Sequence, residues 1–312
     1  MWPTLASAHR RRIGLALALL AVVHGPVLLA GWLAPYDPAE QDRLHPYAAP
    51  GMAGCAARPC PVRCFARDAA GRTRLFVVDA PARLFLLGSD QYGRDQFSRL
   101  LHGGRVSLAA GWLAAALSLG VGWLLGAAAG YFGGFVDDAI MRASELFLAL
   151  PWLYLLFAVR AFLPLEMPPE RALLVVAAVI GLAGWARPAR LVRGVALSAR
   201  ESGYVLAARG FGASNVHILR RHILPRTLGV ALTQAALLVP QYVLAEVTLS
   251  FLGLGVGEPV PSWGNMLAAL AQYHVLASYW WMLLPAVAMV PVFLGYLSIA
   301  GAVLEAHEAA EL

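Results

Sequence analysis

Apolar segments of membrane-spanning length recur through the chain and constrain its fold more than any other feature. The first covers about 13–33, and the others cover about 106–130, 139–163, 171–190, 227–250 and 280–303. At 1.5 Å per residue, about 20 apolar residues cross the hydrocarbon core of a bilayer. Charged residues make up only 13% of the chain, against about 25% in soluble domains. The pattern predicts an all-α polytopic membrane protein with about six transmembrane helices in a lipid bilayer.

The N-terminal segment opens like a signal peptide, because His9 and three arginines precede it. Its apolar run is longer than the core of about 7 to 15 residues that signal peptides have, and it ends at Trp32 and Pro35 rather than at a small-residue cleavage site. We therefore expect an uncleaved span, with residues 1–33 forming a cytoplasmic N-terminus and the first transmembrane helix.

Residues 34–104 form a long polar excursion between the first two spans, rich in Pro, Gly and Arg. It holds the only cysteines of the chain, Cys55, Cys60 and Cys64. If the excursion faces an oxidising compartment, we expect one disulfide among them and one spare thiol, whereas their spacing matches no structural zinc pattern well. Residues 76–78 and 84–87 are apolar enough to form short strands or buried turns.

Two acidic residues near the end of the excursion are placed to start the next helix. Asp90 can cap a helix N-terminus, and Asp95 can interact with the positive end of that helix. Contact with a ligand is the alternative for both side chains. Helix initiation is the interpretation that we favour.

The distribution of arginines predicts the orientation of the chain in the membrane. Residues 187–226 hold eight arginines and one acid, Glu201, whereas 251–279 holds no arginine. Cytoplasmic loops are enriched in basic residues, so we place 187–226 and both termini in the cytoplasm. The extracytoplasmic excursion holds nine arginines, but seven acids partly balance them, and it exceeds the roughly 60-residue loops to which the rule applies.

Three ionisable residues lie at or within the spans, where charges are costly and usually face a cavity or the headgroups. Glu145 and Arg160 lie near opposite ends of one segment, so we expect both to reach an interface. Glu246 lies near the outer end of its span and is the candidate for lining a translocation path. The stretch 249–266 that follows is too apolar for a solvated linker, and we expect it to pack on the bundle or dip into it.

A polar run, 201–225, interrupts the apolar second half of the chain. Residues at helical spacing predict a first short helix: Tyr204, Ala207, Ala208 and Phe211. Gly212 can adopt the left-handed conformation that ends a helix, and Ser214 is placed to cap a second one. The second helix is expected to have Val216, Leu219 and Ile223 on one side, Arg220, Arg221 and His222 among its other residues, and Pro225 at its end. A basic connector lying along the membrane is the alternative.

All 24 residues counted as Lys or Arg are arginine. Without lysine, the chain has neither a phosphate-loop lysine nor a Schiff-base lysine. If nucleotide energy drives this protein, another chain must bind the nucleotide. The arginines flank the spans, so the net charge of +6 does not indicate nucleic-acid binding. The spans carry no His, Cys and Asp cluster at metal or nucleophile spacing, which argues against a membrane-embedded enzyme.

Four blocks of the sequence resemble the inner-membrane permeases of bacterial ABC importers, in particular the C-type subunit of the dipeptide, oligopeptide and nickel branch. The blocks are 88–95 with 98–101, 130–137, the run 201–225, and 249–255 with 261–266. The resemblance implies a type I importer permease fold, in which 105–312 forms a five-helix core. It also implies that 196–226 is a cytoplasmic coupling loop that docks into a groove on an ATPase subunit.

The contact with the ATPase that the resemblance implies falls on a defined set of residues. They are Glu201, Tyr204, Leu206, Ala207, Ala208, Gly212, Ser214, Arg220, Arg221, Leu224 and Pro225. Of these, Ala207, Ala208, Gly212, Leu224 and Pro225 match the family pattern. Leu206 stands where the family usually has Glu, which puts an acidic contact to the ATPase in doubt, although Glu201 is nearby. The C-terminal residues 298–312 also depart from the usual family ending.

The resemblance further implies a subunit of an ATP-driven importer in the bacterial inner membrane. This chain would form a translocation path for peptides or a similar small solute, beside a second homologous permease, two cytoplasmic ATPases and an extracytoplasmic solute-binding protein. ATP and Mg would bind the ATPases, and no cofactor, metal or catalytic residue is expected on this chain. The alternative is a stand-alone ion-coupled secondary transporter, which would need internal repeats, broken helices and acids at mid-depth.

Overall fold

The computed structural model describes residues 2–53, 62–67, 71, 73–78, 82–161 and 167–311. Helices dominate these residues, as the apolar segments predict. The first predicted span becomes a long helix α1, Trp2–Leu28, followed by a single turn α2, Ala30–Leu33. Cys55 and Cys60 lie outside the described residues, and so does the side chain of Arg160.

The excursion contains four short strands: β1 (Gly51–Ala53), β2 (Val62–Arg67), β3 (Thr73–Val78) and β4 (Arg83–Phe85). Strand β1 pairs antiparallel with β4, and β2 pairs antiparallel with β3. Of the stretches expected to form short strands or buried turns, 76–78 lies in β3, and 84–87 is divided between the end of β4 and a turn at 86–87. Phe85 is fully buried, and the Arg74 guanidinium donates to the backbone oxygen of Ala34, which ties β3 to the end of α2.

Helix α3, Gln96–Phe132, is the longest element, with 37 residues, and by 1.5 Å per residue it measures about 55 Å. It is capped by Asp95, whose Oδ2 accepts the Ser98 N–H at 2.7 Å. Asp90 is not the cap, and that prediction is wrong. Its carboxylate instead accepts the N–H groups of Tyr92 and Arg94 in a turn before the helix. The helical core thus begins at Gln96 rather than at 105.

The segment 139–163 does not form one continuous helix, contrary to the prediction. It is divided into α4, Gly134–Ala149, and α5, Trp152–Ala161. Pro151 lies at the break. Proline has no N–H to donate, and its ring disfavours a helical conformation for the preceding residue. That residue, Leu150, is extended, with a ψ of 131°.

The next predicted span, 171–190, is not one straight helix either. Helix α6, Pro169–Gly184, is followed by α7, Ala186–Arg200, and the two are bent by 43°. The arginine-rich stretch therefore begins as an amphipathic helix and not as a loop at 187. Pro188, Ala189, Val192, Ala196 and Ala199 form its buried side.

The second half of the polar run leads directly into the next long helix. Helices α8, Gly203–Gly210, and α9, Asn215–Ile218, are followed by a π-helical turn, Leu219–Ile223, and then by α10, Leu224–Phe251. The remaining elements are α11 (Trp263–Ala268), a 3₁₀ turn (Ala269–Ala271), α12 (Tyr273–Ser278), a 3₁₀ turn (Trp280–Leu283) and α13 (Leu284–Glu311).

Four helical stretches in the described part of the chain are long and apolar enough to cross a membrane, and the bent α6–α7 pair would be a fifth. The four lie at Arg11–Leu28, Gln96–Phe132, Leu228–Phe251 and Trp280–Glu305. A polytopic helical protein is confirmed, whereas the number of about six spans stays a prediction.

Helix α3 is the centre of the bundle and packs against α6, α7 and α10, while α1 packs against α13. The predicted close packing at small residues is present along α3. A Cβ on Gly126 would overlap the backbone of Ala189 in α7, and one on Gly130 would overlap Ala196. Glycine at these positions lets the two helices touch through their backbones. The stretch 249–266 is packed too, because Trp263 is fully buried and its indole donates to the Leu100 oxygen at 3.0 Å.

Candidate functional site

Helix α8 ends in the glycine corner that the sequence predicts. Gly212 has a φ of 81°, its N–H donates to the Arg209 oxygen, and the Ala213 N–H donates to the Ala208 oxygen, both at 3.0 Å. This pair of bonds is the Schellman motif, which needs a left-handed residue at the position of Gly212. The corner turns the chain sharply between α8 and α9.

Helix α9 begins at the predicted cap, since the Ser214 hydroxyl accepts the His217 N–H at 3.3 Å. The prediction that Pro225 ends this helix is wrong, because Pro225 lies in the first turn of α10. An ordinary α-helical carbonyl four residues earlier would clash with the proline ring. The wider π turn at Leu219–Ile223 immediately precedes it, and the helix continues.

The inner side of the polar run packs into an apolar cluster with the ends of α3 and α7. Its fully buried members include Val205, Ile218 and Ile223. Val216 is 61% exposed, so the prediction that it shares one side with Ile223 is wrong, and Ile218 is buried with Ile223 instead. The Tyr131 hydroxyl on α3 donates to Asn215 Oδ1 at 2.8 Å. The loop is thereby attached to α3 by packing and by a hydrogen bond.

The outer side of the run exposes apolar side chains. Phe211 is 92% exposed, Val216 61%, Leu206 53% and Tyr204 48%. We call these four side chains the coupling surface. Leu206, which replaces the usual family acid, lies within it, and Glu201 is exposed nearby.

The other residues of the predicted ATPase contact divide into two sets. Ala207, Gly212, Ser214, Arg220, Arg221 and Pro225 are exposed, while Ala208 and Leu224 are partly buried against the apolar cluster. The structure thus brings the predicted residues together in one compact element. Their contact with an ATPase stays a prediction.

Glu246, the candidate for the translocation path, is fully buried between α3, α10 and α11. The Ser250 hydroxyl donates to its Oε1 at 2.6 Å, and the hydroxyls of Ser107 and Ser262 also face its carboxylate. An enclosed carboxylate of this kind does not line an open route in this conformation. Its role in a translocation path stays a prediction.

A cavity of about 200 Å³ lies one helical turn away, at the break between α4 and α5. Its polar lining comes from Arg187, Gln241 and Tyr242, and Leu150 contributes from the break itself. The Tyr242 hydroxyl lies 2.8 Å from the Ser118 hydroxyl. Sequence reasoning missed these residues, although Pro151 within an apolar segment was a signal, because non-helical backbone at membrane depth occurs where it lines a cavity.

The N-terminal end of α3 carries a network of four charges. The Arg94 guanidinium donates to Asp90 Oδ2 at 2.6 Å and to Glu258 Oε2 at 2.5 Å. The Arg99 guanidinium donates to Glu258 Oε1 at 3.0 Å. Asp90, Arg94 and Arg99 are buried, whereas the Glu258 side chain is 45% exposed. The network joins the end of the excursion to the loop that follows α10.

A second cavity, of about 440 Å³, lies beside this network. Its lining includes Gln96, Arg99, Glu258, Asn265 and Gln272. The sequence interpretation considered ligand contact only for Asp90 and Asp95 and missed this cavity. Asp95 is itself enclosed, and burial raises the pKa of its carboxyl to about 6, although hydrogen bonds from Ser98 oppose the shift.

Two further predictions concern the surface. Glu145 is half exposed and forms ion pairs with Arg142 at 3.3 Å and Arg190 at 3.4 Å, which agrees with a position at an interface.

Cys64 is an exposed free thiol on β2. The predicted disulfide stays a prediction, because Cys55 and Cys60 lie outside the described residues. The described residues include no group of His, Cys, Asp and Glu that could hold a metal ion.

Comparison with known proteins identifies relatives over about two thirds of the chain. Residues 122–305, more than half of the chain, match the family described as "Binding-protein-dependent transport system inner membrane component". The dipeptide transport system permease protein DppC of Bacillus subtilis (strain 168) is 39% identical over 196 residues, which are 63% of this chain and 59% of that protein.

Two other relatives are covered more fully. The dipeptide transport system permease protein DppC of Alkalihalophilus pseudofirmus is 35% identical over 220 residues, 70% of each chain. The oligopeptide transport system permease protein OppC of Bacillus subtilis (strain 168) is 35% identical over 214 residues, 67% of this chain and 68% of that protein. This chain therefore belongs to the family of inner membrane components of binding-protein-dependent transport systems, as the four sequence blocks predict.

Proposed function

We propose that this chain is the transmembrane permease subunit of an ATP-driven peptide importer in the bacterial inner membrane. It works beside a second homologous permease, two cytoplasmic ATPases and an extracytoplasmic solute-binding protein, and both of its termini face the cytoplasm. Peptides are the proposed solutes because the relatives are named as dipeptide and oligopeptide permeases. The family assignment does not favour a stand-alone secondary transporter.

The coupling surface is the observation that carries this proposal. Phe211, Val216 and Leu206 are exposed on an element that the arginine distribution predicts to be cytoplasmic. Single exposed apolar residues are common, but a group of them on a rigid element is typical of an interaction site. We infer that an ATPase covers this surface.

The loop is built to transmit movement, because its inner side is fixed to three long helices. Val205 and Ile218 pack against α3 and α7, and the π turn makes α9 continuous with α10. A ligand-driven change needs contacts that differ between two states. A displacement of the coupling surface would therefore move α3, α7 and α10 together, rather than deform a flexible linker.

Two of these helices, α7 and α10, line the cavity at the α4–α5 break. Gln241 and Tyr242 lie on α10 and Arg187 lies on α7. Movement of both helices would change the shape of this cavity, which we propose as part of the translocation path. A second permease subunit would complete the path opposite it.

The energy source is assigned to partner chains. The sequence contains no lysine and so has no phosphate-loop lysine. We propose that ATP and Mg bind only to the ATPases and that this chain carries out no catalysis.

The test is Phe211→Asp in the reconstituted transporter. An aromatic anchor at an interface contributes about 2 kcal/mol, so substrate-stimulated ATP hydrolysis should fall at least tenfold while the variant still inserts in the membrane. Leu44→Asp is the matched control, because Leu44 is 85% exposed at the other end of the molecule, and it should retain full stimulation.

If Phe211→Asp retained full substrate-stimulated ATP hydrolysis, the coupling surface would not be the contact with the ATPase. Leu206→Glu is a second variant for the same experiment, because it puts the usual family acid at one of the four exposed positions of the coupling surface. If the ATPase partner of this chain has adapted to Leu206, the added acid should weaken stimulation rather than restore it.

A further inference from the structure

The cavity of about 440 Å³ at the N-terminal end of α3 has no part in the coupling mechanism. Its lining combines two arginines, the buried Asp90, the half-exposed Glu258 and several amides. Cavities of roughly 300–1,000 Å³ with a few converging polar groups are typical of small-molecule sites. The chemistry of the lining therefore indicates what this cavity can bind.

The two guanidiniums are arranged to hold a carboxylate. The side chains of Arg94 and Arg99 are 6% and 1% exposed, and both donate to the carboxylate of Glu258. Arginine recognises carboxylates through parallel N–H donors. In this structure the chain itself supplies the carboxylate, from a side chain that is 45% exposed.

Glu258 has room to leave this position. It lies in the loop between α10 and α11, and its side chain is 45% exposed. The Glu258 carboxylate is already nearly half exposed, so little further hydration separates it from solvent, whereas the two buried guanidiniums would need another carboxylate in its place. Asp90 would still compensate part of the arginine charge, through the 2.6 Å contact with Arg94.

The side chain of Gln96 independently indicates that a hydrogen-bond donor binds in this cavity. Its side chain is 2% exposed and lines the cavity, and its Oε1 has no hydrogen-bond partner in the described part of the chain. A buried acceptor without a donor is unfavourable. Gln96 precedes Arg99 by three residues on α3, so both lie on one face of the helix, and a donor bound near the arginines can reach this oxygen.

We propose that this cavity binds the free carboxylate of a short peptide, in exchange for Glu258. The peptide carboxylate takes the N–H donors of Arg94 and Arg99, and an N–H of the peptide donates to Gln96 Oε1. This inference rests on the proposed function in one respect, since it takes the solute class to be peptides.

The experiment measures binding to the complete transporter without its solute-binding protein, by calorimetric titration. The probes are L-alanyl-L-alanine, its C-terminal amide and acetate. We expect the amide to bind at least tenfold more weakly than the free dipeptide, since one charge-assisted hydrogen bond is worth about that factor. Glu258→Gln removes the competing charge and should tighten dipeptide binding about tenfold.

Glu40→Gln is the matched control, because the side chain of Glu40 is 42% exposed and pairs with Arg83 outside the cavity. It should leave dipeptide binding unchanged. Gln96→Leu should weaken the dipeptide about tenfold but leave acetate unchanged, since acetate has no N–H to donate. The unfolding temperature of each variant is measured to check that the variant is folded.

Equal binding of dipeptide and amide, or unchanged or weaker dipeptide binding in Glu258→Gln, would overturn the site. It would also be overturned if no probe binds and Glu258→Gln changes only the docking of the solute-binding protein. ATP-dependent dipeptide uptake into proteoliposomes tests the proposed function separately. Uptake without cavity binding removes this site alone, whereas cavity binding in a complex that transports no peptide removes the proposed function.

Discussion

The two ends of α3 are held in place by different forces. At the N-terminal end, buried Arg99 and Arg94 are joined to Asp90 and Glu258 by charge-assisted hydrogen bonds. At the C-terminal end, Tyr131 packs into an apolar cluster with the polar run and makes one neutral side-chain hydrogen bond, to Asn215. About 50 Å of continuous helix separates them.

This difference determines how each end of α3 can respond to a partner. Buried ionic contacts depend strongly on geometry, and the loss of one member leaves the others uncompensated. Apolar contacts are non-directional and scale with area, so a packed cluster tolerates small displacements. The Tyr131 end is therefore suited to being moved by a partner, and the Arg99 end is suited to exchanging one carboxylate for another.

The largest expected effect comes from breaking the charged end. Arg99→Met should lower the free energy of unfolding by about 3 kcal/mol, because it leaves Glu258 without its second donor and Asp90 with less compensation. Thermal unfolding in detergent measures this. Arg142→Met is the control, since its side chain is 83% exposed and exposed ion pairs contribute about 0–1 kcal/mol. Similar unfolding temperatures for the two variants would show that both ends are held by packing alone.

The sequence predicts the long helices because their signal is local. A run of about 20 apolar residues predicts α3, α10 and α13 without knowledge of their neighbours. The breaks are harder to predict. Pro151 divides one apolar segment in two, while Pro240 lies inside the continuous α10. Both prolines have apolar residues on either side in the sequence, so the outcome depends on what packs around each proline.

The same distinction applies to the site. Gly212 and Ser214 were predictable, because a left-handed corner and a helix cap are set by backbone geometry within a few residues. The pairing of Arg99 with Glu258 joins residues 159 positions apart, and no local pattern contains it. Val216 was misplaced because a π turn changes the phase of the helix, and an α-helical period cannot anticipate that change.

The second prediction concerns the pKa of Asp95, at the charged end. Burial raises that pKa from 3.8 to about 6, so the folded protein holds this proton more tightly than the unfolded chain does. The resulting stability is complete below about pH 4 and is lost as the pH rises through about 6. Between these values the wild type should lose about 2 kcal/mol relative to Asp95→Asn, since Asn caps helices about as well as Asp. Unfolding temperatures of both proteins from pH 4 to 7.5 test this, and parallel curves would show that Asp95 does not contribute.

The smallest expected effect lies at the apolar end and isolates its backbone geometry. Gly212 has a φ of 81°, and a Cβ there would meet nothing within 4 Å, so Gly212→Ala costs only the left-handed backbone penalty of about 1 kcal/mol. Gly210→Ala is the matched control two residues earlier. A Cβ at Gly210 is equally free and the residue lies in α8, so alanine should be neutral or stabilising there. Opposite shifts in unfolding temperature are expected. Equal shifts would mean that the corner does not hold the coupling surface, whose orientation would then depend on the apolar cluster alone.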